Sequence, residues 1–193
     1  MDDKELIQIV DEAMAEAVRK SGAWLACRPG CHECCIGPFA ITPLDALRMQ
    51  NGLTALERTD PRRAARVRER ARDSVARLCR QFPENTVQAV LADGDAAEDE
   101  LCPALDPQTG TCDLYASRPV TCRTFGPAVR FGGGSLAVCE LCYRGATDEE
   151  IAACAVEADT QKLESAALLQ LEEATGLRVE TIVAFALHIR AAR

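Results

Sequence analysis

Cys27-Arg28-Pro29-Gly30-Cys31-His32-Glu33-Cys34-Cys35 places four thiols and an imidazole within nine residues, far more than a packed core requires. A second stretch answers it between Cys102 and Cys142, CPALDPQTGTCDLYASRPVTCRTFGPAVRFGGGSLAVCELC. Both are loop-like, rich in Gly and Pro that let the backbone turn thiols inward. The two stretches are expected to meet in space and hold a metal centre, with the rest of the chain packed around them.

The flanking sequence reads as helix. Leu6, Val10, Ala13, Met14, Ala17 and Val18 recur at helical spacing over residues 3–20, and Ser21-Gly22 offers a stop. Thr42-Pro43 begins a short helix that is expected to end near Asn51-Gly52. Asp60-Pro61 opens a stronger one to about Gln81, with Ala64, Val67, Ala71, Val75, Leu78 and Phe82 as its apolar stripe. A shorter pattern covers 85–92, before the acidic run Asp93–Glu100, which reads as a solvated loop.

CPALDPQTGTCDLY forms two short strands or extended arms about a Pro-Gln-Thr-Gly turn. Gly132-Gly133-Gly134 is a flexible turn that lacks the Lys and strand–helix setting of a phosphate loop. Thr147 with Glu150 makes a capping box for a helix expected to run to about Ala174. A last helix spans about 179–191. The expected fold is mainly α, helices surrounding an irregular cysteine-rich insert with short strands. The expectation is a single domain, 1–193, with the cysteine region at about 27–142 and a helical part at about 147–193.

Composition narrows the function. The chain has 193 residues, is 48% hydrophobic but only 4% aromatic, and carries a formal charge of −8. An acidic protein of this kind argues against a general nucleic-acid or anionic-membrane surface. No apolar run approaches the ~18 residues of a membrane span, and the acidic N-terminus has no secretory h-region. Eleven cysteines, an odd number, cannot all pair. The reading is therefore a cytoplasmic protein, where clustered cysteines mean metal or redox chemistry rather than a disulfide frame.

Not all eleven thiols read alike. Cys79 and Cys154 lie in helices beside apolar positions and are expected to fill core. The other nine lie in loops, where closely spaced thiolates can converge on one ion or cluster at small conformational cost. His32 is expected to face solvent, because thiols are already in excess. His188 is expected to be structural. The all-thiol donors and their irregular spacing favour an iron–sulfur cluster over Zn2+.

Cys31-His-Glu-Cys34-Cys35, Cys102-Pro-Ala-Leu-Asp106, Cys112-Asp-Leu-Tyr115, Arg118-Pro119 and Cys122-Arg123-Thr-Phe125 resemble the YkgJ-type cysteine-cluster family, a zinc- or iron-chelating domain by description. The likeness covers about residues 27–142. It implies metal chelation by Cys27, Cys31, Cys34, Cys35, Cys102, Cys112, Cys122 and Cys139. This chain departs from the usual pattern by three residues between Cys27 and Cys31, where two are common, and by the additional Cys142. Beside these, Asp106 caps its turn, and Arg118 and Arg123 either support the thiolates or form surface salt bridges.

Two other readings stand beside metal binding. Some relatives with a similar cluster are lysine N-methylases, which use S-adenosylmethionine and carry an iron–sulfur centre, though no Gly-rich methyl-donor site is visible here. Cys139-Glu-Leu-Cys142 offers a redox pair, without the βαβ setting of thioredoxin-like sites. The last reading is a metal-stabilised interaction module. In it, Arg62, Arg63, Arg66, Arg68, Arg70, Arg72, Arg77 and Arg80 present a basic face to a protein partner, against the plainer reading of a solvated face.

Overall fold

A computed structural model describes residues 3–84, 86–92, 97–130 and 135–189. In chain order the elements are α1 (Lys4–Ser21), α2 (Pro43–Thr59), α3 (Pro61–Gln81), α4 (Thr86–Ala92), β1 (Leu105–Asp106) and β2 (Thr111–Cys112). They continue with α5 (Val120–Thr124), β3 (Val129–Arg130), β4 (Leu136–Ala137), α6 (Asp148–Cys154), β5 (Val156–Glu157), α7 (Leu163–Thr175) and α8 (Val183–His188). The fold is mainly α with a few short strands. Two compact units compose it, one of Met1–Arg28 with Val120–Gly176, the other of Pro29–Pro119 with Leu177–Arg193.

The Pro29–Pro119 unit is built on α2, α3 and α8, which pack on one another. Ile41, Met49, Leu53, Ala64, Val67, Ala71, Val183 and Leu187 form its buried centre. The start of α2 is capped by Thr42, whose hydroxyl accepts the Asp45 N–H at 3.2 Å, with Pro43 in the first turn. Asp60 caps α3 in the same way, accepting the Arg63 N–H at 3.0 Å. The apolar stripe of α3 is buried as its spacing predicts, from Ala64 to Leu78.

Helix α2 does not stop at Asn51-Gly52 but runs on to Thr59. Gly52 is there for packing: a Cβ at this position would collide with the Ser117 side chain. The last helix is also shorter than expected, because Thr181 exchanges backbone hydrogen bonds with Ile41 (2.8 and 3.1 Å) and Ile182 is extended. Its expected end beyond Ile189 lies outside the described residues, as do the Gly132–Gly134 turn and residues 93–96 of the acidic run. Glu100, at the end of that run, is not merely solvated: it accepts both Nε and an Nη of Arg77, at 3.1 and 2.6 Å.

In the other unit α1 packs on α5, α6 and β5. Leu6, Val10, Met14 and Ala17 are its buried face, whereas Val18 points to solvent. Strand β3 pairs antiparallel with β4 and parallel with β5. The Thr147–Glu150 capping box forms, with the Thr147 N–H donating to Glu150 at 2.8 Å. The helix it opens does not reach Ala174. It ends at Cys154, because Val156-Glu157 leaves the helix to pair with Val129-Arg130. Asp159 then restarts the helix as α7, accepting the N–H groups of Leu163 (2.9 Å) and Glu164 (2.8 Å).

Candidate metal centre

Each cysteine stretch is divided between the two units. From the first, Cys31, Cys34 and Cys35 belong to the Pro29–Pro119 unit, with Cys102 and Cys112 of the second. Cys27 belongs to the other unit, with Cys122, Cys139 and Cys142. Among the described residues, no cysteine is joined in a disulfide. In the Pro29–Pro119 unit, thiols from both stretches meet.

In the Pro29–Pro119 unit the meeting is made by backbone. The Cys102 N–H donates to the Cys35 carbonyl at 2.8 Å, the Gly37 N–H to the Glu100 carbonyl at 2.9 Å, and Ile36 bridges Leu101. This short antiparallel contact sets the first loop beside Cys102. The β1–β2 hairpin then pairs Leu105 with Cys112, and the Asp113 N–H donates to the Ala104 carbonyl at 2.7 Å, so Cys112 returns to the same place. At the far end of the hairpin, Gly110 (φ +67) lets the turn approach Gly30: a Cβ there would lie 3.1 Å from the Gly30 carbonyl oxygen. Asp106 caps that turn as expected, accepting the Gln108 N–H at 3.0 Å.

Electrostatics follow from this crowding. The Cys35 S–H donates to Cys34, which lowers Cys34 to about 7 against its burial, helped by its own N–H and the charges of Arg118 and His32. Cys35 is pushed far up, first by holding its proton for Cys34, then by burial and the nearby Cys102, Cys34 and Cys112. Burial pushes Cys102 to about 12, opposed by the Ala104 and Leu105 N–H groups that donate to its sulfur. Burial also raises Cys112, opposed by the Leu114 N–H and by Arg118, and reinforced by Asp113. Backbone N–H groups two and three residues on are thus aimed at these sulfurs, as stabilisers of thiolate charge.

The turn at Glu33–Cys35 brings the sulfurs of the adjacent Cys34 and Cys35 into hydrogen-bond contact. The four thiols are neighbours rather than a closed site. Among the described residues, no three His, Cys, Asp or Glu side chains are converged as a ready metal-binding group. Four soft sulfur donors, with N–H groups directed at two of the most deeply buried, nonetheless fit Zn2+ or iron chemistry once deprotonated.

The remaining expected residues divide as follows. Cys31 is half-buried in the same loop. His32 turns Nδ1 toward the Gly30 carbonyl at 3.0 Å. Cys154 is buried, as expected, and donates its S–H to the Lys20 carbonyl at 3.4 Å. Cys79 is not core: it is exposed on α3, beside the Thr86 hydroxyl. His188 is exposed at the end of α8. Arg118 stacks on the Tyr115 ring, 3.8 Å from its centroid, and its charge reaches Cys34 and Cys112. Arg123 is buried rather than at the surface, and pairs with both carboxylate oxygens of Asp11 at 2.7 and 2.8 Å.

Sequence reading overlooked Asp113. Its side chain is 1% exposed and lies between Arg63 and Arg70, with Arg70 at 2.5 Å. Arg70 also donates to the Pro103 carbonyl at 2.9 Å. These two arginines hold α3 to the hairpin that carries Cys112. Arg68 pairs with Glu57, Arg72 with Glu69 and Asp73, and Arg77 with Glu100, so much of the basic face is engaged within its own unit. The periodicity of α3 gave no hint that a carboxylate outside the helix would claim two of its arginines.

Cys102 and Pro103 also form part of the wall of a small pocket of about 20 Å³, shared with Phe39, Leu78 and Ile182. Ser74 lines it with a buried hydroxyl that has no hydrogen-bond partner among the described residues. No described helix is long and apolar enough to cross a membrane.

Residues 26–156 match the profile of the CxxCxxCC family, described as a "Putative zinc- or iron-chelating domain". No curated protein and no solved structure matches the chain.

Proposed function

Because the chain belongs to the CxxCxxCC zinc- or iron-chelating family, we propose that Cys34, Cys35, Cys102 and Cys112 hold a metal centre through their thiolates. The observation that carries this reading is the crowding of four sulfurs from two distant stretches, with backbone N–H groups directed at Cys102 and Cys112. Buried thiols of that density raise one another's cost of ionisation, a cost that a cation removes. Cys31 lies in the same loop, and the sixth thiol of this unit, Cys79, is exposed on α3. Cys27, Cys122 and Cys139, the other members of the expected ligand set, belong to the second unit.

A bound ion or cluster supplies a covalent tie among the first loop, the Cys102 segment and the hairpin. The protein's own residues prepare for it. Cys34, drawn toward the thiolate by the Cys35 S–H, is the first ligand ready. Arg118 offsets part of the negative charge, and Asp113 with Arg63 and Arg70 fixes the hairpin on α3. The donor set is all sulfur, which suits an iron–sulfur cluster or Zn2+. Clustered cysteines with no disulfide among the described residues suit a reducing compartment such as the cytoplasm.

Anaerobic purification followed by metal and sulfide analysis and a visible spectrum tests the reading. Brown protein with iron and sulfide assigns a cluster; colourless protein with stoichiometric zinc and no sulfide assigns Zn2+. Retention of the full metal content by Cys34→Ser/Cys112→Ser would overturn the ligand assignment.

A further inference from the structure

We propose that the unit of Met1–Arg28 and Val120–Gly176 carries a second thiolate metal centre of its own, formed by Cys27, Cys122, Cys139 and Cys142. This rests on the reading that the cysteines of the other unit chelate metal. It departs from the expected ligand set by adding Cys142 and by dividing the ligands into two groups.

Gly126 is the junction. A Cβ at this residue would lie 2.7 Å from the Cys27 Sγ, so the absence of a side chain is what admits the thiol. Its φ of +120 is a conformation open mainly to glycine. The Gly126 carbonyl accepts the Cys139 N–H at 3.2 Å. One residue thus receives a thiol of the first stretch on one side and the backbone of Cys139 on the other. Cys122 lies on α5, four residues before Gly126 in the chain.

The turn after Cys139 is closed by the Cys142 N–H donating to the Cys139 carbonyl at 2.9 Å. The two sulfurs are hydrogen-bonded, and the Leu141 N–H donates to Cys139. Both cysteines are nearly buried, at 7% and 5% exposure, in a cluster with Ala128, Tyr143 and Cys154. Cys154 shows what a packing thiol does in that environment: it donates to the Lys20 carbonyl. Cys139 and Cys142 instead face each other with amide support.

Tyr143 pins this turn against the segment leading to Cys27. Its N–H donates to the Trp24 carbonyl at 2.9 Å, and its hydroxyl accepts the Ala128 N–H at 3.1 Å and contacts Ser21. It adopts φ +54, unusual for a residue other than glycine. Such strain persists only where the surroundings over-determine it. Here they do so at the residue next to Cys142. The four sulfurs are not closed into a site in this structure, but their number and kind match the four-ligand demand of a structural metal.

The test uses Co2+ as probe on metal-stripped, reduced, full-length protein, reading thiolate-to-cobalt charge-transfer absorption per equivalent. Wild type should take up about two equivalents, one for each four-thiol group. Cys139→Ser/Cys142→Ser should take up about one, and Cys34→Ser/Cys112→Ser also about one. Gly126→Ala should weaken one of the two equivalents by about tenfold or more, because Cys27 must move. Cys154→Ala, a thiol of the same apolar cluster, should keep both, which separates ligation from packing. Far-UV circular dichroism checks that each variant retains its helices. Uptake of a single equivalent by wild type, or of both by Cys139→Ser/Cys142→Ser, would overturn the proposal. Loss of all uptake in either double variant points to one shared centre and also overturns it, while leaving metal chelation intact. Retention of both equivalents by Cys34→Ser/Cys112→Ser would instead sink the assignment of the other unit.

Discussion

Asp113→Asn offers a direct measure of what holds the cysteine hairpin in place. The wild-type carboxylate is 1% exposed and accepts one arginine on each oxygen, Arg63 on Oδ1 and Arg70 on Oδ2. A hydrogen bond to a charged group contributes about 1.5–3 kcal/mol, a neutral one about 0.5–1.5. Asn keeps one oxygen acceptor and turns an N–H toward the second arginine, so one charged bond is lost and the other weakened. The sum is about 2–4 kcal/mol. Both arginines are partly exposed, at 37% and 23%, and water recovers part of the loss, which leaves about 2 kcal/mol. For a chain of this size that is a fall in Tm of about 4–8 °C. The assay is calorimetry of the metal-free, reduced protein. Because the Asp113 charge raises Cys112, its removal should ease ionisation of that thiol, and metal content should not fall. An unchanged Tm would refute the clamp. Loss of metal without loss of Tm would mean that Asp113 acts at the centre itself.

Other outcomes follow from single contacts. Gly52→Ala should destabilise by about 1–3 kcal/mol in spite of its helical position, because the new methyl meets Ser117; adding Ser117→Gly should restore most of the loss in chemical denaturation. Ser74→Ala should raise stability by about 1 kcal/mol, since its hydroxyl is buried without a partner among the described residues; a lower urea midpoint would contradict this. Unfolded thiols ionise near 9.0, whereas Cys102 holds its proton to about 12, so metal-free stability is full below pH 9 and falls as pH rises toward 12. Metal affinity moves the other way, because each raised thiol must lose its proton to bind. Competition against a chelator should therefore show tighter binding at pH 8 than at pH 6, and a flat profile would exclude Cys102 and Cys112 as ligands.

Local chemistry was legible from the chain alone. Thr42, Asp60 and the Thr147–Glu150 pair cap helices because a cap is a matter of a few neighbouring residues. The stripe of α3 and the Cys102–Cys112 hairpin could be read for the same reason, one from period, the other from turn residues. The cysteine-rich character of the chain, and with it membership of a metal-chelating family, is also a property of spacing along the sequence.

What the tertiary structure decided is long-range. Gly52 reads as a stop until Ser117, far along the chain, is brought against it. The helix from Thr147 breaks because residues 156–157 find a partner at 129–130, a choice that helical propensity cannot register. Cys79 lies beside an apolar stripe in sequence but turns to solvent, since one helical position separates a buried face from an exposed one. The allocation of thiols is of this kind too. Nine residues hold Cys27, Cys31, Cys34 and Cys35 together in sequence, yet Cys27 lies against Gly126, while Cys34 and Cys35 join Cys102 and Cys112. Density along the chain announces a chelating family; only backbone pairing across it determines which sulfurs become neighbours.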